Sequence, residues 1–317
     1  MRVDRKPLII YHSPCADGSG AAFAAWCKFG EEAEYRPAAA GDPAPPDEDV
    51  RDRDVYVLDL SYPMVDLRRM AAVATKVVML DHHKTAFERL VAETCPGASE
   101  REREIRLAER RIVVGDTRLA IIVDLDHSGA VTAWQTLRVG VPVPEVLLYV
   151  EDRDLWRWQM HKSHEVSAVL DSYDVWEDFR RFKLYVDLST KNTGGLDDFY
   201  ELKMEGEAVL RMQSRLVDVI ARTAETVTFH VPGLMAFNGE AACSAVLQSE
   251  VGHKLAKPGV IAAVWYRDGE RGQYKVSLRS AGELDVTPIA EAHGGGGHRN
   301  AAGFYCDELP WKPARRR

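Results

Sequence analysis

The run Asp81-His82-His83 directly follows an apolar segment, Val77-Val78-Met79-Leu80. A strand that ends in such a triplet places two imidazoles and a carboxylate at a single turn. Imidazole and carboxylate donors together suit Mn²⁺, Mg²⁺, Fe²⁺, Co²⁺ or Zn²⁺. A histidine at a strand end can also simply bond to backbone, and the triplet alone leaves both readings open. Its neighbours favour chemistry: His12, Asp17, Asp59 and Asp152 also stand at or just after the ends of apolar segments. Two hard cations bridged by a carboxylate would activate a water and neutralise a phosphoryl group.

Elements that could position these residues are legible in the first half of the chain. Leu8-Ile9-Ile10-Tyr11 reads as a strand ending at His12, Val55-Tyr56-Val57-Leu58 as one ending at Asp59, and Val77 to Leu80 as one ending at Asp81. Helical patterns over about 20–29 and 64–75 separate them. Alternating strands and helices predict a parallel sheet with covering helices. In such a sheet the carboxyl ends of the strands line the ligand crevice, so three separated segments converge on one place. Residues 98–111, dense in Glu and Arg, read as a solvated helix. An apolar run, Leu119 to Val123, precedes Asp124-Leu125-Asp126-His127-Ser128-Gly129, and helices are expected over 130–139 and 144–150.

A long helical pattern runs from Leu196 to about Thr223 behind Gly194-Gly195. Beyond it the pattern changes to short strands, Thr226 to Val231, Leu234 to Phe237, Val260 to Tyr266 and Tyr274 to Leu278, interrupted by helices over 241–255 and 288–292. The expected organisation is a parallel-sheet α/β domain over 1–195, a connecting helix over 196–225 and a smaller α/β domain over 226–317.

Composition excludes several classes. Hydrophobic content of 46% and charged content of 28% are those of a globular protein. The net charge of −8 offers no footprint for long duplex nucleic acid, though a local basic pocket could still hold a short nucleotide. Five widely spaced cysteines without a CxxC pair argue against a disulfide framework or a zinc knuckle. The charged N-terminus is not a signal peptide, and no stretch is long enough to span a membrane, so a cytoplasmic location is expected.

Five motifs in order resemble the DHH superfamily of phosphoesterases, in the subfamily with a C-terminal DHHA1 domain. They are His12-Ser13-Pro14-Cys15-Ala16-Asp17-Gly18, Asp59 in Leu58-Asp59-Leu60-Ser61, Asp81-His82-His83-Lys84, Glu151-Asp152-Arg153-Asp154, and the glycine run through His298. The resemblance implies that Asp59 bridges two metals and that His82 binds one of them with Asp17 and Asp152. It implies that His12 binds the other, that Asp81 orients a ligand and that His83 faces the scissile phosphate; Asp154 is a lesser candidate, with a salt bridge or helix cap as its expected role. The family's first motif usually carries two Asp separated by one residue. Here the first position is Cys15, either a thiolate ligand for a softer metal or a small buried filler.

The glycine run, Gly294 to Gly297, permits close backbone approach and could form an anion nest. A preceding helix and a following strand argue against a flexible linker. In similar DHHA1 domains this loop clamps the substrate, which makes Gly295, Gly296, Gly297, His298 and Arg299 candidate substrate contacts. Arg279, with Ser280 beside it, is the second phosphate candidate, since a guanidinium grips phosphate in a fork. Trp156 and Trp158 could stack on a base or fill the core.

The resemblance implies hydrolysis of short oligonucleotides or dinucleotides to mononucleotides, as in nanoRNase-like relatives. Two divalent cations are expected, Mn²⁺ first among them. Alternatives are a cyclic-dinucleotide phosphodiesterase, a 3′-phosphoadenosine phosphate phosphatase, a RecJ-like single-strand exonuclease and a non-catalytic nucleotide-binding module. The expected partner is a short nucleotide, with no long duplex and no membrane; a homodimer is compatible with the sequence.

Overall fold

The computed structural model describes residues 5–94, 97, 99, 101, 102, 108–175, 178–189, 200–230 and 236–313. Outside them lie residues 103–107 of the Glu/Arg-rich stretch, Gly194-Gly195, the first residues of the expected long helix and Leu234. The chain divides into two compact units, Met1–Leu210 and Arg211–Arg317. Among the described residues no helix is long and apolar enough to cross a membrane.

The first unit is built on a six-stranded sheet. Its strands are β1 (Leu8–His12), β2 (Glu34–Ala38), β3 (Asp54–Leu58), β4 (Lys76–Asp81), β5 (Arg111–Gly115) and β6 (Leu119–Asp124), in the spatial order β2-β1-β3-β4-β6-β5. All neighbours are parallel except β5, which runs antiparallel to β6 at the edge. The central strands read as unbroken apolar runs because both faces are covered. Ile9, Tyr56 and Leu58 pack on one side with Phe23, Ala133 and Tyr149 of covering helices. Leu8, Ile10, Val57 and Met79 pack on the other with Leu67 and Phe87. Each such large side chain contributes on the order of 1.5–3 kcal/mol on burial.

The second unit carries a seven-stranded sheet of β7 (Glu225–Phe229), β8 (Phe237–Cys243), β9 (Ile261–Arg267), β10 (Tyr274–Arg279), β11 (Gly296–His298), β12 (Ala301–Cys306) and β13 (Trp311–Pro313). The order is β11-β12-β10-β9-β8-β7-β13, antiparallel except for the β8/β9 pair. Val276, Leu278 and Phe304 face one core with Ile289. Ala262 and Val264 face another with Val251 and Val217. The helix expected from Ala241 begins only at Gln248, because residues 237–243 form β8 between β7 and β9. The long helix is observed over Tyr200–Ala221; Leu202 packs into the first unit's core and Val217 into the second's.

Candidate metal centre

The chain passes from β1 outward to β2 and then returns to the other side of β1 as β3. That reversal leaves a crevice at the carboxyl ends of the strands. In register, Tyr11 pairs with Leu58 and Leu58 with Leu80, so His12, Asp59 and Asp81 end adjacent strands. The helix Ala16–Phe29 follows β1, with Asp17 in its first turn. Gly18 is required there, since a Cβ would sit 2.1 Å from the carbonyl oxygen of His12.

Asp17 is 1% exposed, and its carboxylate accepts the backbone N–H groups of Gly129 (2.6 Å) and Ala130 (2.9 Å), at the start of the helix Gly129–Leu137. The two helices approach closely because Gly20 faces Ala130. A side chain at Gly129 would strike the Cβ of Asp59 at 2.6 Å. Asp59 itself has a φ of +55°, a left-handed conformation that Asp and Asn tolerate better than most residues.

His82 is the hub. Its Nε2 lies 3.0 Å from Asp59 Oδ1, 3.4 Å from Asp17 Oδ2 and 3.5 Å from Asp154 Oδ2. Asp59 Oδ1 and Asp154 Oδ2 are buried oxygens without an aligned hydrogen bond. Burial and the neighbouring Asp17 push the Asp59 carboxyl up to about 7, against the pull of His82. The same two causes, burial and Asp17, raise Asp154 to about 6. Burial alone would lower His82, but Asp154, Asp59 and Asp17 hold it well above the ordinary imidazole value. Three carboxylates around one imidazole nitrogen, two with unaligned buried oxygens, form a donor set that a divalent cation fits. Ligand atoms of Asp17, Asp59 and His82 lie within 4.8 Å of one another, and so do those of Asp59, Asp81 and His83.

Asp81 organises the turn. Its Oδ1 accepts the backbone N–H groups of His82 (2.8 Å) and His83 (3.3 Å) and lies 2.7 Å from His83 Nδ1. Burial opposes its ionisation, yet His83 and His82 hold it well below the usual carboxylate range. The His83 side chain is 32% exposed, against 1% for His82. Cys15 precedes the same helix as Asp17 and is partly buried. Burial and the charges of Asp59, Asp154 and Asp17 push its thiol well above its ordinary value. His12 ends β1 beside the cluster but belongs to neither ligand group.

Asp152 does not reach the cluster. Its carboxylate accepts the backbone N–H groups of Gln159 (2.9 Å) and Met160 (3.1 Å) and so fastens the following loop. Asp154, at the end of the helix Glu145–Asp154, takes its place. Replacing Asp154 with Asn should weaken divalent-cation binding at least tenfold, as read by Mn²⁺ titration. Asp152→Asn should leave that binding unchanged and cost about 1–3 kcal/mol of stability in a thermal or denaturant melt. The Trp158 ring stacks on His164 at 3.8 Å and meets the edge of Trp156, so one of its faces is already covered.

The candidate substrate residues of the second unit divide. Gly296–His298 forms β11, paired with β12, rather than an open nest. A Cβ at Gly295 would meet the carbonyl of Gly303 at 2.1 Å, and one at Gly297 that of Ala301 at 2.5 Å, so packing requires both glycines. Ser280 Oγ donates to the Leu284 carbonyl (2.6 Å) and accepts from Asn300, which ties it into its turn. Arg299 is likewise paired with Glu283. Arg279 ends β10, with Nη2 donating to Ser249 Oγ at 2.7 Å. In register, Arg279, Ala301 and His298 lie across three neighbouring strands, so their side chains share one sheet face. The structure thus places Arg279 and His298 on one sheet face with β12 between them, and gives Ser280 and Arg299 turn-holding roles.

Residues 234–312 match the DHHA1 domain family. The chain is 25% identical, over 95% of its length and 68% of the other's, to the uncharacterized protein R106 of Acanthamoeba polyphaga mimivirus. Among solved structures it is similar to an exopolyphosphatase-related protein from Bacteroides fragilis, at 15% identity and a TM-score of 0.39, covering 97% of this chain and 88% of that one. It is also similar to RecJ in complex with Mn²⁺ from Thermus thermophilus, at 13% identity and a TM-score of 0.43, covering 95% of this chain and 49% of that one. A pGpG-specific phosphodiesterase from Vibrio cholerae overlaps at 12% identity and a TM-score of 0.35, over 95% and 93% of the two chains. At these TM-scores the overlaps carry no weight beside the motifs and the domain match. What the comparisons show is therefore a DHHA1 domain over residues 234–312, following in sequence a mostly parallel sheet whose strand β4 ends in the Asp81-His82-His83 turn.

Proposed function

We propose that the protein is a divalent-cation-dependent phosphodiester hydrolase that cuts short oligonucleotides to mononucleotides. The observation that carries this reading is the convergence of Asp17, Asp59 and Asp154 on His82 Nε2, with the more exposed His83 beside them. A divalent cation bound there supplies Lewis-acid activation of water and neutralises phosphoryl charge.

The chain's own residues do the rest. Asp17 is fixed by two backbone amides and Asp59 by its backbone conformation, so their oxygens need little rearrangement. Asp81 commits Nδ1 of His83, and hydrogen bonding to a phosphoryl oxygen therefore falls to Nε2. Asp81 also raises His83 against the lowering effect of burial, which favours the protonated, donating ring. In the second unit, Arg279 and His298 are the candidate grips on a substrate phosphate.

The test is hydrolysis of a length series, from two to about ten nucleotides, with Mn²⁺, Mg²⁺, Co²⁺ and Zn²⁺ in turn. Release of mononucleotides from the short members is the expected result. If no member of the series is cut with any of these cations, the reading is wrong.

A further inference from the structure

A cavity of about 430 Å³ lies in the first unit, and none of its lining residues belongs to the ligand groups around His82. It sits over the edge of the sheet, where β2 pairs with β1. Tyr11 of β1, Tyr35 of β2 and Phe179 of the helical turn Phe179–Arg181 form its aromatic walls. The Phe179 ring centre is 4.8 Å from that of Tyr35 and 5.7 Å from that of Tyr11. Glu31, Asp178 and Arg180 supply the charges. The volume falls in the range of small-molecule sites.

Two acceptors in this cavity are unengaged. Tyr11 is 6% exposed, yet its hydroxyl makes no hydrogen bond among the described residues. Burial raises that phenol, and the charges of Arg180 and Asp178 then act on it in opposite directions, so the three groups are neighbours. Asp178 Oδ1 accepts the backbone N–H of Arg180 at 3.0 Å and lies 3.5 Å from Arg180 Nη1. Its Oδ2 takes part in no hydrogen bond or ion pair among the described residues. Arg180 is the single cation of the lining, held 3.3 and 3.4 Å from the Glu31 carboxylate and 4.9 Å from the centre of the Phe179 ring. A strong charge-assisted bond is shorter, about 2.7–2.9 Å, so neither carboxylate is saturated.

The lining sets two carboxylates against one guanidinium, which disfavours an anion. Surplus negative charge beside aromatic rings favours a cation. We propose that this cavity binds a small organic cation, an alkyl ammonium or guanidinium, whose N–H groups donate to Asp178 Oδ2 and the Tyr11 hydroxyl while its carbon chain lies against Tyr35 and Phe179. Arg180, seated over Phe179 between two carboxylates, is an example of the same chemistry within the chain. The inference is independent of the hydrolase reading, because no residue of the metal centre takes part.

The test is calorimetric titration of the full chain in EDTA with agmatine, which carries a guanidinium and an ammonium on a short carbon chain, and with glutarate as the anionic control. One saturable site for agmatine and none for glutarate is the expected result. Tyr11→Phe removes the hydroxyl and keeps the ring. Asp178→Asn removes the charge and keeps an acceptor for the Arg180 N–H, since Asn caps a helical turn as well as Asp. Each should weaken agmatine binding about tenfold, the scale of a hydrogen bond to a charged group. Thermal melts of both variants should stay within a few degrees of the parent. Asp59→Asn, in the metal centre, should bind agmatine as the parent does, which separates this cavity from the other acidic cluster. No saturable binding of agmatine, equal binding of glutarate, unchanged affinity in either Tyr11→Phe or Asp178→Asn, or loss of binding in Asp59→Asn would overturn the proposal.

Discussion

Replacing Asp59 with Asn should abolish turnover and at the same time raise the melting temperature of the protein in EDTA. Asp59 is 2% exposed, its Oδ1 has no aligned hydrogen bond, and burial with Asp17 pushes its carboxyl up to about 7. At pH 8 the ionised form therefore costs the fold a few kcal/mol, by the rule that one pKa unit corresponds to about 1.4 kcal/mol. An amide removes that charge and keeps the side-chain shape. Asn also accepts the left-handed backbone at this position, so no strain is added. A gain of this size raises the melting temperature by several degrees in a unit of this length. Activity should fall by about three orders of magnitude, the scale on which single groups of a preorganised electrostatic site act. Excess Mn²⁺ should narrow or close that stability gap, because a cation that binds only the native parent stabilises it by about 2.7 kcal/mol at a hundred times its Kd and about 4.1 kcal/mol at a thousand times. Thermal melts of parent and variant, with EDTA and with Mn²⁺, check the prediction. A variant less stable than the parent in EDTA would contradict it.

The second large effect is in the pH dependence. Asp59 and Asp154 are raised from the ordinary aspartate value, 3.8, to about 7 and about 6. A raised group contributes stability that is fully present below its unfolded value and is lost as pH rises through its folded value. His82 and His83 are also raised and act in the same direction above about pH 6.5. Asp81 is lowered and has the opposite sign, but its effect is confined to acid below the ordinary carboxylate range. In EDTA the melting temperature should therefore fall steadily from pH 5 to pH 8. With saturating Mn²⁺ the fall should vanish or reverse, because the cation displaces those protons and binds more tightly as they leave. A melting temperature in EDTA that is flat or rising over this window would mean that the carboxylates are not crowded as described.

The strand ends were the legible part of the site. Three apolar runs stop at His12, Asp59 and Asp81, and a parallel sheet with neighbouring β1, β3 and β4 must bring those ends together. The exchange of Asp152 for Asp154 was not legible. Residues two apart on a helix differ by about 200° in direction, so only one can face the cluster. Choosing between them requires knowing how far the helix extends, and it runs to Asp154 rather than ending at Val150. Gly129 was equally silent, because its role is a contact with Asp59, seventy positions earlier in the chain. The missed strands have a common cause. β2 is a polar edge strand containing Pro37, and β5 lies at the end of a Glu/Arg-rich stretch. β2 shows no apolar run, and β5 carries only the short run Ile112-Val113-Val114 between Arg111 and Gly115. In β8, Glu240-Ala241-Ala242 favours a helix locally, and pairing with β7 and β9 overrides that preference.

The most direct measurement is a Mn²⁺ titration of the EDTA-stripped protein, with cation binding and release of mononucleotide from a short single strand followed together. The account predicts no release without cation, release that rises in step with occupancy, and loss of both in Asp59→Asn. Turnover that persists in EDTA, or full occupancy without any release of mononucleotide, would contradict it.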